Sequence, residues 1–257
     1  IFVMDGDIKR AYDYVSHKAF VEAAVEKGLD EVLIMTWLRG WRNMKSIFRL
    51  DKETISEEIP RAISLPQGDP AAPMIFNLIL DTLAIRFARV AKEREWGLRL
   101  LDGSWIHLVT FADNYWRVAP SAPMLQEMTK AWLSLLAEYG WETPTSELTW
   151  CTTWEDENYA RIDIAGEATH RALMKEGLKV LGTIITFDGF FDHEVDNRIT
   201  RANRAFFATW DLLGCTAIPL GKRIQVFRSV VESSVFWCAG SWNLRREQYE
   251  RLRTVHR

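Results

Sequence analysis

Phe76, Ile79, Leu80, Leu83 and Phe87 recur every three to four positions behind Pro73, which suits a first helical turn, so a helix is predicted there with one face packed on a sheet. Leu125, Met128, Trp132, Leu135, Leu136 and Tyr139 repeat the spacing and predict a second helix, stopped at Gly140. Ser16 can cap a helix carrying Phe20 and Ala24 on one face, and another is expected from about Glu31 to Trp41. From Glu194 onward the pattern is helical again. Val195, Ile199, Ala202 and Phe206 line one face there, and Arg198 and Arg201 lie three residues apart on another.

Strand signals lie between these helices. Phe2-Val3-Met4 reads as a strand running into the turn Asp5-Gly6-Asp7, which places acidic residues at a strand end. Ser46 to Leu50 and Ile55 to Ile63 form a hairpin candidate around Asp51 to Thr54. Trp105 to Phe111 and Tyr115 to Ala119 are joined by Ala112-Asp113-Asn114, which predicts a tight hairpin. Lys179 to Thr186, the turn pair Asp188-Gly189 and Phe190-Phe191 suggest a further one. The fold class is therefore α+β, with a boundary near residue 190 between a mixed domain, residues 1–189, and a smaller helical one, residues 190–257.

At 257 residues and 48% hydrophobic, the chain can bury the core of one large or two smaller domains. The apolar run from Ile75 to Ile85 is broken by Asn77 and Asp81 and falls short of the roughly 18 residues of a membrane span, so none is expected. Ile1-Phe2-Val3-Met4-Asp5 resembles the middle of a strand rather than a signal peptide, and reads as a cut inside a longer protein. Cys151, Cys215 and Cys238 are widely spaced, with no CxxC pair and no His at zinc-ligand spacing. They read as free thiols of an intracellular protein, nuclear or cytoplasmic.

The net charge of −3 does not advertise nucleic-acid binding, but it is unevenly distributed. Residues 1–189 hold 21 Lys/Arg against 28 Asp/Glu, a balance of −7, and residues 190–257 hold 11 against 7, a balance of +4. That suits an acidic, metal-binding part followed by a basic part tracking a phosphate backbone; an ordinary solvated surface accounts for it equally well.

Asp7 closes an apolar strand and Asp113 sits at a predicted hairpin tip. Singly, such residues are usually turn formers or caps. Together, two carboxylates at strand ends can hold the two Mg²⁺ ions that in-line phosphoryl transfer uses. Between them lies Gln67-Gly68-Asp69-Pro70, a loop whose Gly lets backbone approach a flat ligand, or simply a loop before a helix.

The run Asp7-Ile8-Lys9-Arg10-Ala11-Tyr12-Asp13-Tyr14-Val15-Ser16-His17 resembles the first palm motif of the reverse transcriptases of non-LTR retrotransposons. Leu65-Pro66-Gln67-Gly68-Asp69-Pro70 through Phe76-Asn77-Leu78 resembles their second motif, and Phe111-Ala112-Asp113-Asn114 their third. Val180-Leu181-Gly182 is similar to the turn that grips the primer end, and Arg198-Ile199 with Ala202, and Gly240-Ser241-Trp242, to the thumb of the same group.

The resemblance implies a right-hand polymerase palm over residues 1–189, a helical thumb over 190–257 and fingers largely absent from the chain. It implies that Asp7 and Asp113 bind two Mg²⁺ ions, with Mn²⁺ as a substitute, that the Ile8 carbonyl adds a ligand, and that Asn114 belongs to the catalytic hairpin. Tyr12 would lie under the sugar of the incoming dNTP and select against a 2′-hydroxyl, although a Tyr covering the core is the plainer role. Gln67 and Gly68 would contact the template and nascent base pair, and Arg198, Arg201, Lys222 and Arg223 the phosphates of an RNA template and DNA primer. Nothing in the sequence sets the oligomeric state.

Two departures matter. Asn114 stands where the family usually has a second Asp, and Thr143 to Leu148 lacks the Lys that would protonate the leaving diphosphate. Three readings follow in order: an RNA-directed DNA polymerase, a catalytically inactive or repurposed nucleic-acid-binding relative, and an RNA-directed RNA polymerase. Tyr12 and the Gln-Gly loop count against the third.

Overall fold

β1 (Phe2–Asp7) carries its strand geometry past the expected turn at Asp5-Gly6-Asp7, because every residue to Asp7 finds a partner in a neighbouring strand. This is seen in a computed structural model that describes residues 1–49, 51, 54–60, 63–66, 68–154 and 161–254. The chain forms two compact units, Ile1–Trp150 with Asp156–His170, and Cys151–Glu155 with Arg171–Arg257.

In the first unit, α1 (His17–Glu26) and α2 (Glu31–Arg42) follow β1, and a short hairpin, β2 (Lys45–Ser46) with β3 (Ile59–Pro60), leads to α3 (Ala72–Glu93). Next come the pair β4 (Leu98–Arg99) and β5 (Trp105–Ile106), then β6 (Leu108–Phe111), β7 (Asn114–Ala119) and α4 (Ala122–Glu138). β8 (Thr149–Thr152), the pair β9 (Asp163–Ile164) and β10 (Glu167–Ala168), and β11 (His170–Arg171) complete the series, the last residues of β8 and β11 being counted with the second unit. The main sheet has the order β11-β8-β1-β7-β6, antiparallel at β1–β7 and β7–β6.

The helices form where the patterning puts them. Ser16 Oγ accepts from the N–H groups of Lys18 and Ala19 at the start of α1, and Asp30 caps α2 in the same way. Ile75, Phe76, Ile79, Leu80, Leu83 and Phe87 are the buried stripe of α3, and α4 ends before Gly140, whose φ is +81°. α4 packs on β1 and β7, and α3 on α4 and α1. Phe2, Met4 and Gly6 therefore face the core with Tyr115, Arg117 and Ala119, whereas Val3, Asp5 and Asp7 lie on the opposite, partly exposed face.

The second unit opens with a hairpin, β12 (Leu178–Val180) and β13 (Thr183–Ile185). Its turn is Leu181-Gly182, not the expected Asp188-Gly189. Asp188 Oδ1 instead accepts the Phe190 N–H at 2.9 Å and leads the chain into α5 (Asp192–Ala208). α6 (Trp210–Gly214), α7 (Leu220–Val226), a π-helical turn at Phe227–Glu232, α8 (Ser233–Phe236) and α9 (Arg246–Arg253) follow. Val195, Ala202, Val231, Val235 and Leu252 make its small core. The boundary expected near residue 190 falls inside this unit, because side chains of α5 bond the hairpin.

Arg198 is the main correction to the sequence reading. Its side chain is 1% exposed and ion-paired with an equally buried Glu194, and its guanidinium donates to the Gly182 carbonyl at 2.6 Å and to Thr183 Oγ1 at 3.1 Å. Those acceptors, rather than phosphates, use its donors. Arg201 remains partly exposed. Cys151 is buried, Cys215 partly so and Cys238 exposed, all as free thiols, and no described helix is long and apolar enough to cross a membrane.

Candidate active site

Asn114 pairs with Asp7 on one side and with Phe111 on the other, so the hairpin tip and the end of β1 lie in one row across the sheet. The two residues between Phe111 and Asn114 make the turn, and the first of them, Ala112, has φ +51°. Two-residue hairpins need a positive φ there to match strand twist, and a non-glycine residue adopts it at a cost in strain. The turn brings the Asp113 carbonyl to the Ile8 N–H at 3.0 Å, which fixes the hairpin tip against the residue after Asp7. Asn114 Nδ2 donates to Asp113 Oδ1 at 3.3 Å, so the neutral side chain orients the neighbouring carboxylate.

Asp7 Oδ1 is buried and has no hydrogen-bond partner among the described residues. Desolvation pushes its carboxyl above the usual range, and the charges of Asp113 and then Glu147 push the same way, against the Ile8 N–H. Asp5, two residues back on the same face, is raised to about 6, chiefly by burial. A strand end that holds a negative charge so reluctantly suits a cation.

Three residues the sequence reading did not single out hold Asp7 from behind. Tyr115 reaches under β1 and its hydroxyl donates to Thr143 Oγ1 at 2.7 Å; Thr143 in turn donates to the Asp7 carbonyl at 2.8 Å. The Lys9 N–H donates to the Glu142 carbonyl at 3.0 Å, pinning the same segment. Gly6 makes room for the ring. A glycine inside a strand marks a close approach, and that was the available signal.

Tyr12 stacks on Phe76, ring centroids 4.9 Å apart, and borders a cavity of about 500 Å³ with Pro66, Gly68, Asp69, Ala72 and Pro73. Burial and then the Asp113 charge raise its phenol. Gly68 has φ +90°, and Asp69 Oδ1 accepts the Ala71 N–H at 2.9 Å where α3 begins, so the loop is built as a helix entry. Gln67 lies outside the described residues. The loop from Ile8 to Ser16 is held by Trp141 Nε1 on the Ala11 carbonyl and by the Leu65 N–H on that of Tyr12.

The structure thus brings together Asp7, Ile8, Asp113 and Asn114, with Tyr12 and Gly68 at an adjoining cavity. Arg198 and Arg201 belong to the second unit. The Ile8 carbonyl accepts no hydrogen bond among the described residues. Two carboxylates, that carbonyl and the Asn114 amide oxygen are all oxygen donors, the kind hard divalent cations prefer. No group of three or more His, Cys, Asp or Glu residues that could hold a metal ion occurs among the described residues.

A family profile described as reverse transcriptase (RNA-dependent DNA polymerase) matches residues 1–185. The Pol polyprotein of the type-1 retrotransposable element R2 from Popillia japonica is 26% identical over 116 residues, 44% of this chain and 18% of that protein. Its counterpart from Nasonia vitripennis is 31% identical over 80 residues, 31% of this chain and 8% of that protein. Among solved structures, telomerase from Candida albicans, in complex with a TWJ fragment of telomeric RNA, superimposes with a TM-score of 0.53 at 10% identity. That match covers 99% of this chain and 48% of the telomerase, a likeness of fold.

Proposed function

This chain belongs to the reverse transcriptase family, and from that premise we propose that it is the palm and thumb of an RNA-directed DNA polymerase of the non-LTR retrotransposon kind. In this reading residues 1–189 would supply the palm and residues 190–257 the thumb, with the β12–β13 hairpin of the palm sharing a compact unit with the thumb helices, and the partners would be an RNA template, a DNA primer and dNTPs. The observation that carries the reading is the buried, unpartnered Asp7 Oδ1 beside Asp113 at one end of an antiparallel sheet.

Asp7, Asp113 and the Ile8 carbonyl would hold two Mg²⁺ ions. Once bound, these ions would favour ionisation of the primer 3′-hydroxyl and offset charge on the leaving diphosphate. The chain's own residues do the positioning. Asp7 is fixed by Thr143, Asp113 by Ile8 and Asn114, and Tyr12 closes the floor beneath the sugar, where its ring excludes a 2′-hydroxyl. Gly68, with Gln67 before it, admits the nascent base pair. No lysine lies between Thr143 and Leu148, so this segment supplies no cationic general acid.

Mn²⁺ binding read by electron paramagnetic resonance tests the site. The wild-type chain should bind Mn²⁺, and Asp7→Asn or Asp113→Asn should lose most of that binding while melting as a folded protein. Primer extension with dNTPs on an RNA template should be abolished by Asp113→Asn. Unchanged Mn²⁺ binding in both variants would sink the assignment. Asn114 favours a second reading, an inactive relative that binds nucleic acid; metal and hybrid binding without extension would select it.

A further inference from the structure

α3 ends in a Schellman turn, in which the Trp96 N–H donates to the Ala91 carbonyl at 2.8 Å and the Glu95 N–H to that of Lys92 at 3.3 Å. Such a turn needs one left-handed residue, ordinarily Gly, and here it is Glu95, with φ +53°. A glutamate there is strained and persists only where its surroundings over-determine it. Two residues on, Gly97 has φ +110°, and a β-carbon on it would stand 2.6 Å from the Ile106 carbonyl oxygen and 3.0 Å from the β-carbon of His107. The missing side chain lets the β4–β5 pair close against the end of the helix.

A cavity of about 330 Å³ lies where they meet. Ala88 and Ala91 leave it room on the helix side, Trp96, Trp105 and His107 wall it with rings, and Lys92 and Glu95 bring one charge of each sign. Trp96 is 8% exposed, and the Arg94 guanidinium, 4.8 Å from the centre of its ring, braces it without lining the cavity. Trp105 is 44% exposed and has ring surface left to cover. The indole N–H groups of both tryptophans, the His107 imidazole nitrogens, the Glu95 carboxylate and the Lys92 ammonium have no hydrogen-bond or ion-pair partner among the described residues. Aromatic walls with a few unpaired polar groups are the make-up of a ligand site.

The chemistry selects the ligand. Two indoles suit a flat π-system, and a lone carboxylate beside them suits an edge that carries donors. Guanine presents two donors side by side, N1–H and N2–H, whereas adenine presents one donor next to an acceptor that a carboxylate repels. Lys92 is placed for the phosphate. A quaternary ammonium, which aromatic walls also suit, would meet Lys92 and Arg94 here. Ala72 and Pro73, at the start of α3, border the Tyr12 cavity, and Ala91, 18 residues after Pro73, borders this one. At the α-helical rise the two lie about 27 Å apart, so both can be filled at once.

We propose that this cavity takes one unstacked guanine nucleotide of a single-stranded RNA, with Trp105 and Trp96 against the base, Glu95 on its N1–H and N2–H donors and Lys92 on its phosphate. This goes beyond the polymerase reading, since it involves neither Asp7 nor Asp113.

The test is titration of the 257-residue chain, in EDTA to keep divalent ions out, with GMP, AMP, CMP and UMP, followed by ligand-observed NMR. GMP should bind about tenfold more tightly than AMP, the scale of a paired donor contact. Trp105→Ala should weaken GMP by about tenfold, the scale of one stacked base, while the protein still melts cooperatively. Glu95→Gln should bring GMP and AMP to similar affinities, and Asp113→Asn should leave both unchanged. A labelled oligouridine carrying one central guanine should bind more tightly than plain oligouridine, and Trp105→Ala should erase the difference. Equal GMP and AMP binding in the wild type, or no effect of Trp105→Ala, overturns the proposal and leaves the polymerase reading standing. Selective GMP binding with no gain from guanine in the RNA overturns the RNA assignment and makes this a free-nucleotide site. Loss of GMP binding in Asp113→Asn would place the nucleotide at the carboxylates and overturn it too.

Discussion

Gly6 and Tyr115 oppose each other in the β1–β7 pair, and a β-carbon on Gly6 would stand 2.6 Å from the Tyr115 ring and its hydroxyl. No real β-carbon tolerates that approach, so the ring lies where it does because residue 6 has no side chain. The ring's hydroxyl then reaches Thr143, and Thr143 reaches the Asp7 carbonyl. A glycine one residue before the site carboxylate therefore sets that carboxylate's support.

Gly6→Ala should destabilise the first unit by about 1–3 kcal/mol, the usual cost of forcing atoms into a filled space. Thr143→Val keeps the volume but removes both hydrogen bonds, and should cost about 1–2 kcal/mol. Both should weaken Mn²⁺ binding, because Asp7 loses its anchor. Urea denaturation and Mn²⁺ titration would show it. Wild-type stability in Gly6→Ala would mean that the ring is not held against β1.

Asn114→Asp restores a carboxylate beside Asp113. One more unit charge a few ångströms from a divalent ion should tighten Mn²⁺ binding on the order of tenfold in a water-like dielectric. The metal-free protein should become slightly less stable, since Asp7 already resists ionisation next to Asp113. Unchanged affinity together with wild-type extension would make Asn114 a tolerated variant of a working site.

If Tyr12 lies beneath the incoming sugar as proposed, Tyr12→Val would open that floor while sparing the backbone that holds the loop. Incorporation of rNTPs relative to dNTPs should rise by about tenfold or more in primer extension, the scale on which a pocket discriminates by size. An unaltered ratio would return Tyr12 to its stacking role on Phe76.

Arg198→Ala and Arg201→Ala should behave oppositely. The first leaves the buried Glu194 carboxylate without its partner and should cost about 3–5 kcal/mol. The second removes a partly exposed side chain and should stay within about 0.5 kcal/mol of wild type, while weakening nucleic-acid binding. Thermal melts and hybrid binding separate them; equal stability losses would contradict the assignment.

His17 stacks on Trp41 with its Nε2 buried and unpartnered among the described residues. Burial lowers its pKa, only partly offset by its hydrogen bond with the Ser64 backbone. A His with a folded pKa below its unfolded value near 6.5 contributes stability that is complete above that value and is lost as pH falls through the folded one. His17→Phe keeps a ring on Trp41 and should flatten the fall in stability between pH 7 and pH 5. His107, also lowered by burial, keeps the remainder. An identical pH profile in the variant would show that His17 does not titrate differently on folding.

The chain's helices and its central hairpin were legible from sequence because they rest on local rules. The stripe of α3, the cap at Ser16 and the hairpin around Ala112 to Asn114 each depend on residues within a few positions of one another. The likeness of Asp7, Asp113 and Asn114 to a polymerase motif was legible too, as a spaced pattern. What tertiary structure alone decided is which polar groups meet across 15 to 136 residues of chain. Gly6 reads locally as a turn former, yet Tyr115 makes it part of a strand. Arg198 and Arg201 differ by three residues on one helix, and periodicity offers both to solvent. One is consumed by Glu194, Gly182 and Thr183, and the other is not, because burial depends on what packs over a helix face, and that covering comes from the hairpin and α8.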